Sequence, residues 1–284
     1  MHSDFFKRVV AYLVILRISN FIIAFASIYF AIVIADVNLA FQPITFLASL
    51  SGALIGGAGM VINDYFDFNI DNINRPERPI PSGLISKKSA FVYYCILNIL
   101  ALLLILKTNN VVVAIALCSI VLIFLYSSRL KKIMLAGNFT VALMTGMAFI
   151  FGGAVGENIT TLIIPAVFAF LINLAREIIK DVEDIEGDKY YNSRTFPILF
   201  GERKALYLAS AVLFVLILFT FVPFIFQIYK IEYFILVLFG VDIVMLYSII
   251  SIFRNPSKSN LRRIGNLIKY NMAVGLLAIY LGIR

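Results

Sequence analysis

Residues 44–71 read ITFLASLSGALIGGAGMVINDYFDFNID, an uncharged apolar run that ends in an acidic stretch. The run from Ile44 to Ile62 is close to the roughly 20 residues a helix needs to cross a hydrocarbon core. Behind it, Asp64, Asp67 and Asp71 stand at i, i+3 and i+7, a spacing that puts three carboxylates on one helical face. A second apolar run near 161–179 ends the same way, with Asp181, Asp184 and Asp188 at the same spacing. Carboxylates stacked this way repel one another, and the loss of water at a membrane boundary raises the cost. A divalent cation removes the conflict. Mg²⁺ takes hard oxygen ligands and binds through one or two carboxylates together with substrate phosphates. Two such triads facing each other could hold two or more Mg²⁺ ions with a diphosphate between them. Asp64, Asp67, Asp71, Asp181, Asp184 and Asp188 are therefore the candidate catalytic and metal-binding residues.

Apolar runs of the same kind fill the rest of the chain. Hydrophobic residues make up 62% of its 284 residues and charged ones 14%, against about a quarter charged in an ordinary soluble domain. Nine spans are expected, near 13–35, 44–62, 89–106, 111–126, 134–155, 161–179, 205–224, 231–253 and 265–282. The fold class is all-α, a polytopic membrane protein with nine transmembrane helices. The first span is too long for a signal-peptide core and lacks a small-residue cleavage site, so it reads as a retained helix. No linker or low-complexity tract divides the sequence, which makes residues 1–284 one membrane domain.

Cations set the expected orientation. Of the 24 Lys and Arg residues, 18 fall in one set of loops. Only Lys107, Lys230 and Arg284 fall in the other, and Arg17, Arg176 and Lys269 lie within spans. This bias predicts a cytoplasmic N-terminus and places both acidic stretches in the cytoplasm. The net charge of +8 is then an orientation signal and a contact with anionic lipid, with no nucleic acid as partner. His2 is the one histidine and sits at the chain start, so a histidine metal site is not expected. Cys95 and Cys118 lie in apolar runs and read as buried reduced thiols.

Basic and amide groups near the acids are candidates for substrate binding. Arg75 and Arg78 follow the first triad in a proline-rich loop stiff enough to hold their guanidiniums at the metal site, and a guanidinium fork suits phosphate. Asn63 opens the acidic stretch, and Lys131 follows Tyr126 after the fourth span. Arg17 and Asn20, one turn apart in the first span, are read as lining the polar head of a substrate cavity, and Arg176 belongs to a similar stripe with Asn173 and Glu177. Gly52, Gly56, Gly57 and Gly59 are read as packing residues. Tyr65, Phe66 and Phe68 offer aromatic faces to a cationic intermediate, with membrane packing as their alternative role.

The forms NDxxDxxxD at Asn63–Asp71 and DxxDxxxD at Asp181–Asp188, together with nine spans, resemble the UbiA superfamily of intramembrane prenyltransferases. The run from Asn74 to Gly83, NRPERPIPSG, and the run from Arg176 to Asp184, REIIKDVED, look most like the archaeal branch that makes digeranylgeranylglyceryl phosphate. Some members of the family carry Tyr-x-x-x-Lys after the fourth span, whereas Tyr126 and Lys131 here stand one residue further apart. The resemblance implies a UbiA-type bundle, Mg²⁺ as cofactor, a prenyl diphosphate donor and a lipid-phosphate acceptor. In that branch a geranylgeranyl group passes from geranylgeranyl diphosphate to geranylgeranylglyceryl phosphate, forming the second ether bond of archaeal membrane lipids. Prenylation of a 4-hydroxybenzoate-type aromatic or a tetrapyrrole is the alternative within the class. A cation transporter would need acids near mid-span, where only Asp242 lies. A CDP-alcohol phosphatidyltransferase would need an Asp-Gly-x-x-Ala-Arg core, which is absent.

Overall fold

The computed structural model describes residues 2–190 and 193–283; the side chains of residues 2–5, Asn74, Asp188 and Tyr190 lie outside the described set. Among the described residues the chain is helical, and nine helices are long and apolar enough to cross a membrane. Two compact units divide it, residues 1–130 with 147–162 and residues 131–146 with 163–284.

The first unit contains α1 (His2–Ile15), α2 (Ile18–Ala35), α3 (Pro43–Phe66), α4 (Phe68–Asn74), α5 (Lys87–Leu104) and α6 (Asn110–Ser128), with parts of α7 (Ala136–Val155) and α8 (Ile159–Glu183). Local chemistry explains the helix starts. Pro43 opens α3, where its missing N–H is no loss. Ser86 accepts from the Ser89 N–H at 3.0 Å to cap α5, and Asn109 accepts from the Val112 N–H at 3.0 Å to cap α6. The span expected near 13–35 is two elements, because Arg17 takes a left-handed conformation (φ 53°, ψ 70°) and breaks the helix between Ile15 and Ile18.

Helix α3 is the centre of this unit, packed by α2, α5 and α6. Three of its four glycines lie against neighbours too close for a side chain. A Cβ on Gly52 would fall 2.1 Å from Ile28 Cδ1, one on Gly57 3.0 Å from Leu16, and one on Gly59 3.0 Å from Ile123. Only Gly56 has room, its nearest neighbour lying 4.0 Å away. The buried hydroxyl of Ser51 donates to Ala101 O at 2.8 Å, tying α3 to α5 without leaving a polar group unmet. Cys95 is half-buried, but Cys118 is exposed, contrary to the expectation of two buried thiols. Helix α6 is apolar on every side, so its lipid-facing positions cannot be told from its packed ones by composition.

The second unit adds α9 (Ile185–Tyr190), α10 (Phe196–Phe200), α11 (Glu202–Ile225), α12 (Ile231–Leu236), α13 (Ile243–Arg254) and α14 (Lys258–Ile283). A π-helical turn, Val237–Asp242, joins α12 to α13 within one span. Asn271 of α14 donates to Gly240 O at 2.7 Å, satisfying a carbonyl of that turn. Asp242 is buried there, its carboxyl 3.1 and 3.2 Å from Thr220 Oγ1. Gly282 lets α14 close onto α12, since a Cβ would fall 2.3 Å from Tyr233 Cβ.

Candidate active site

The first acidic stretch lies where α3 passes into α4. Asp67 (φ −84°, ψ 3°) separates the two helices, yet the backbone bonds run on through it: Asp67 N to Asn63 O at 2.9 Å, Asp71 N to Asp67 O at 2.8 Å and Arg75 N to Asp71 O at 2.8 Å. Asp64 and Asp71 therefore stay on one side, as the spacing predicts. Both are buried, at 3% and 4% exposure.

Two guanidiniums balance them. Arg78 Nη1 donates to Asp64 Oδ1 at 3.2 Å and to Asp71 Oδ2 at 2.6 Å, joining the first and last acids of the triad. Arg17 Nη2 donates to the same Asp64 oxygen at 2.9 Å. The Arg17 contact spans 47 residues of sequence, and those of Arg78 span 14 and 7. Arg78 arrives on the loop after α4, which is anchored by buried Ile80 and Ile85, by Ile85 N on Pro79 O at 2.9 Å, and by a turn at Gly83 (φ 77°). Arg17 is delivered by the left-handed break between α1 and α2. Asn20 is half-buried one turn beyond it, its N–H on Arg17 O at 2.8 Å. Asn63 Nδ2 donates to Asp67 Oδ2 at 2.9 Å. Arg75 is exposed, and among the described residues its guanidinium makes no hydrogen bond or ion pair.

The aromatic faces beside this stretch are in use. The Lys87 ammonium lies 4.7 Å from the Tyr65 ring centroid and 5.2 Å from that of Phe68, a cation–π pair of contacts the sequence reading missed. Phe66 packs edge-on against Tyr65 and Phe124. Tyr126 is half-buried near the end of α6.

In the second unit, Asp181 accepts from Asn138 Nδ2 at 2.8 Å, so a buried amide on α7 orients it. Asp184 separates α8 from α9 as Asp67 separates α3 from α4, with its N–H on Lys180 O at 2.9 Å. The middle acid of each triad thus stands at a helix break. Asp188 has its backbone in α9 and its side chain outside the described residues. Arg176 pairs with Glu177 at 2.8 Å, and its Nε is buried without a partner among the described residues. Arg262 of α14 holds Glu183 at 2.7 Å. Lys131 is half-buried in the 3₁₀ turn Leu130–Lys132. Asn138 and Arg262 escaped the sequence reading because a lone amide in an apolar run reads as packing and an arginine in a basic loop reads as an orientation signal.

Among the described residues no three His, Cys, Asp or Glu side chains converge tightly enough to enclose a metal. The donors still fit Mg²⁺, which takes hard carboxylate oxygens one or two at a time and draws the rest of its shell from water and phosphate. In the first unit, three acids stand against two guanidiniums, which leaves negative charge for a cation to meet.

The model of the UbiA prenyltransferase family matches residues 22–272. A digeranylgeranylglyceryl phosphate synthase of Methanosphaera stadtmanae is 36% identical over 273 residues, covering 95% of this chain and 98% of its own. The synthase of that name from Methanococcoides burtonii is 38% identical, covering 92% and 89%. A solved structure of a digeranylgeranylglyceryl phosphate synthase in membranes superposes with a TM-score of 0.83 at 32% identity, covering 98% and 99%. A UbiA homolog from Archaeoglobus fulgidus, solved with DMAPP and Mg²⁺, shares the fold at a TM-score of 0.69 and 21% identity, covering 95% and 99%. With a family match across most of its length and full-length relatives above 30% identity, the chain belongs to the UbiA prenyltransferase family, a family of multi-pass membrane proteins.

Proposed function

We propose that this protein transfers a geranylgeranyl group from geranylgeranyl diphosphate to geranylgeranylglyceryl phosphate, forming the second ether bond of an archaeal membrane lipid. One observation carries the reading: end-to-end likeness to synthases that bear this activity in their name, at 36% identity over 95% of this chain and 98% of the relative. The paired aspartate stretches support the reaction type. Asp64, Asp67, Asp71, Asp181, Asp184 and Asp188 are the assigned Mg²⁺ ligands. Bound Mg²⁺ supplies positive charge to the diphosphate as it leaves.

The chain's own residues do the rest. Arg78 and Arg17 already meet the buried Asp64, so a diphosphate entering beside it finds two guanidiniums at hand. Arg75, exposed and uncommitted at the end of α4, is assigned to the outer phosphate oxygens. Asn63 orients Asp67 through its amide. Asn20, Tyr126, Lys131 and Arg176 are assigned to substrate. The allylic C–O bond breaks toward a carbocation, and apolar walls keep water from it. The acceptor hydroxyl then forms the new C–O bond and releases its proton, while diphosphate departs. The two units work as one prenyltransferase domain, with the N-terminus and acidic stretches on the cytoplasmic side, as the cation bias supports.

Purified protein with Mg²⁺ and labelled geranylgeranyl diphosphate tests this directly. Transfer to geranylgeranylglyceryl phosphate is expected, with none to 4-hydroxybenzoate. Product from 4-hydroxybenzoate alone would overturn the acceptor and spare the family. Asp64→Ala and Asp184→Ala are each expected to lower the rate at least ~100-fold, the scale of a lost electrostatic contact in a transition state. Full activity in either variant removes that residue from the site.

A further inference from the structure

A cleft of about 500 Å³ opens between α1 and α5, lined by Tyr12, Lys88, Ser89, Val92, Tyr93 and Ile96. None of these residues belongs to the acidic stretches or to their arginines. The cleft has two chemically distinct ends. At one, Lys88 presents an ammonium beside the Ser89 hydroxyl, which also lies 2.8 Å from Ser86 Oγ. At the other, Val92 and Ile96 expose bare aliphatic side chains, each 47% accessible. Tyr12 and Tyr93 meet edge to face at 4.9 Å, and the Tyr93 hydroxyl points to Tyr12 O at 3.5 Å, so α1 and α5 are held together there.

Two consecutive lysines divide the work at the start of α5. Residues i and i+1 on a helix point about 100° apart. Lys87 turns toward α3 and α4 and lies over Tyr65 and Phe68. Lys88 turns toward α1, and among the described residues no acid pairs with it. Since α5 is a membrane-crossing helix, Lys88 at its second residue stands at the boundary of the bilayer. Val92 and Ile96 follow on the same face, about 6 and 12 Å deeper at 1.5 Å per residue. A cation at the boundary above an aliphatic track entering the hydrocarbon has the shape and polarity of a lipid. A soluble phosphate has no use for the track, and a neutral lipid has none for the ammonium.

We infer that this cleft binds an anionic phospholipid, with its phosphate on Lys88 and Ser89 and one chain along Val92 and Ile96. The site stands independently of the prenyl-transfer reading, since it shares no residue with it. Purified protein in neutral detergent is titrated with phosphatidylglycerol, with phosphatidylcholine of the same chains, and with free glycerol 3-phosphate. Bound lipid is counted by native mass spectrometry and thermal unfolding is followed in parallel. Phosphatidylglycerol is expected to bind and raise the unfolding temperature, and the other two are not. Lys88→Ala is expected to weaken binding about fivefold, the worth of one lysine at an anionic surface. Ile96→Trp, which fills the apolar end, weakens it as well. Lys88→Arg keeps it, and the lipid-free unfolding temperature of Lys88→Ala and Ile96→Trp, unchanged from that of the parent protein, shows that their losses are not failures to fold. Unchanged binding by Lys88→Ala, equal binding of phosphatidylcholine, or binding of glycerol 3-phosphate as tight as the lipid would each overturn the proposal.

Discussion

Arg17 combines two costs at one position. It holds a left-handed backbone that disfavours any residue with a Cβ, by about 1–2 kcal/mol. It also places a guanidinium on Asp64, a carboxylate only 3% exposed. Breaking a buried pair by removing one partner costs about 3–5 kcal/mol, and the 35% exposure of the Arg17 side chain puts the cost here below that range. The two effects separate by substitution. Arg17→Ala loses the charge and keeps the strain, whereas Arg17→Gly loses both. Thermal unfolding should therefore rank Arg17→Gly above Arg17→Ala by about 1 kcal/mol. Both variants should be equally poor in prenyl transfer. Equal stability of the two would mean that the backbone at this position is not strained.

Helices in this protein approach one another through glycine, and what each glycine touches decides how much a methyl group costs. At Gly52 the obstacle is the Ile28 side-chain tip, 2.1 Å from the added Cβ, the end of a side chain and not backbone. At Gly152 the obstacles are Ala31 Cβ at 2.5 Å and the Ala31–Ile32 backbone at 3.1 Å, which cannot turn aside. Gly152→Ala should lose about 1–3 kcal/mol and Gly52→Ala less than about 1 kcal/mol, read from unfolding in detergent. The helices themselves were plain in the sequence, because an apolar run near the span length can satisfy its backbone in hydrocarbon only as a helix. Their breaks were not. The left-handed turn at Arg17 lies between two apolar runs with no proline or glycine to mark it. The interruptions at Asp67 and Asp184 hide inside a spacing that reads as continuous helix. Cys118 was misjudged for a related reason, since an all-round apolar helix does not reveal which face meets lipid.

For the whole molecule, the acids and Arg78 could be singled out from spacing, but their partners came from distant parts of the chain. Arg17 lies 47 residues from Asp64 and Asn138 lies 43 from Asp181, separations that only the folded bundle resolves. The internal guanidiniums also bear on how the protein responds to metal. A chelator should stop prenyl transfer, and added Mg²⁺ should restore it. Stability without substrate should barely change, by less than about 1 kcal/mol, because Arg17 and Arg78 already balance the buried Asp64 carboxylate. A collapse of the fold on chelation would mean that the metal is structural. Orientation can be read from thiol labelling in intact cells. A cysteine at Lys107 should react with an impermeant reagent, and one at Lys88 only after the membrane is opened.

The pairing of Arg17 with Asp64 also bears on how the chain enters the bilayer. Each is a charge close to an apolar helix, and placing either one alone toward the hydrocarbon costs up to about 3 kcal/mol on insertion scales. Arg17 emerges from the ribosome first and has no counter-charge until α3 has been made. The two charges are neutralised only once α2 and α3 lie side by side as a hairpin. The first two spans are thus best suited to partition as one unit, with the Arg17–Asp64 pair joining them.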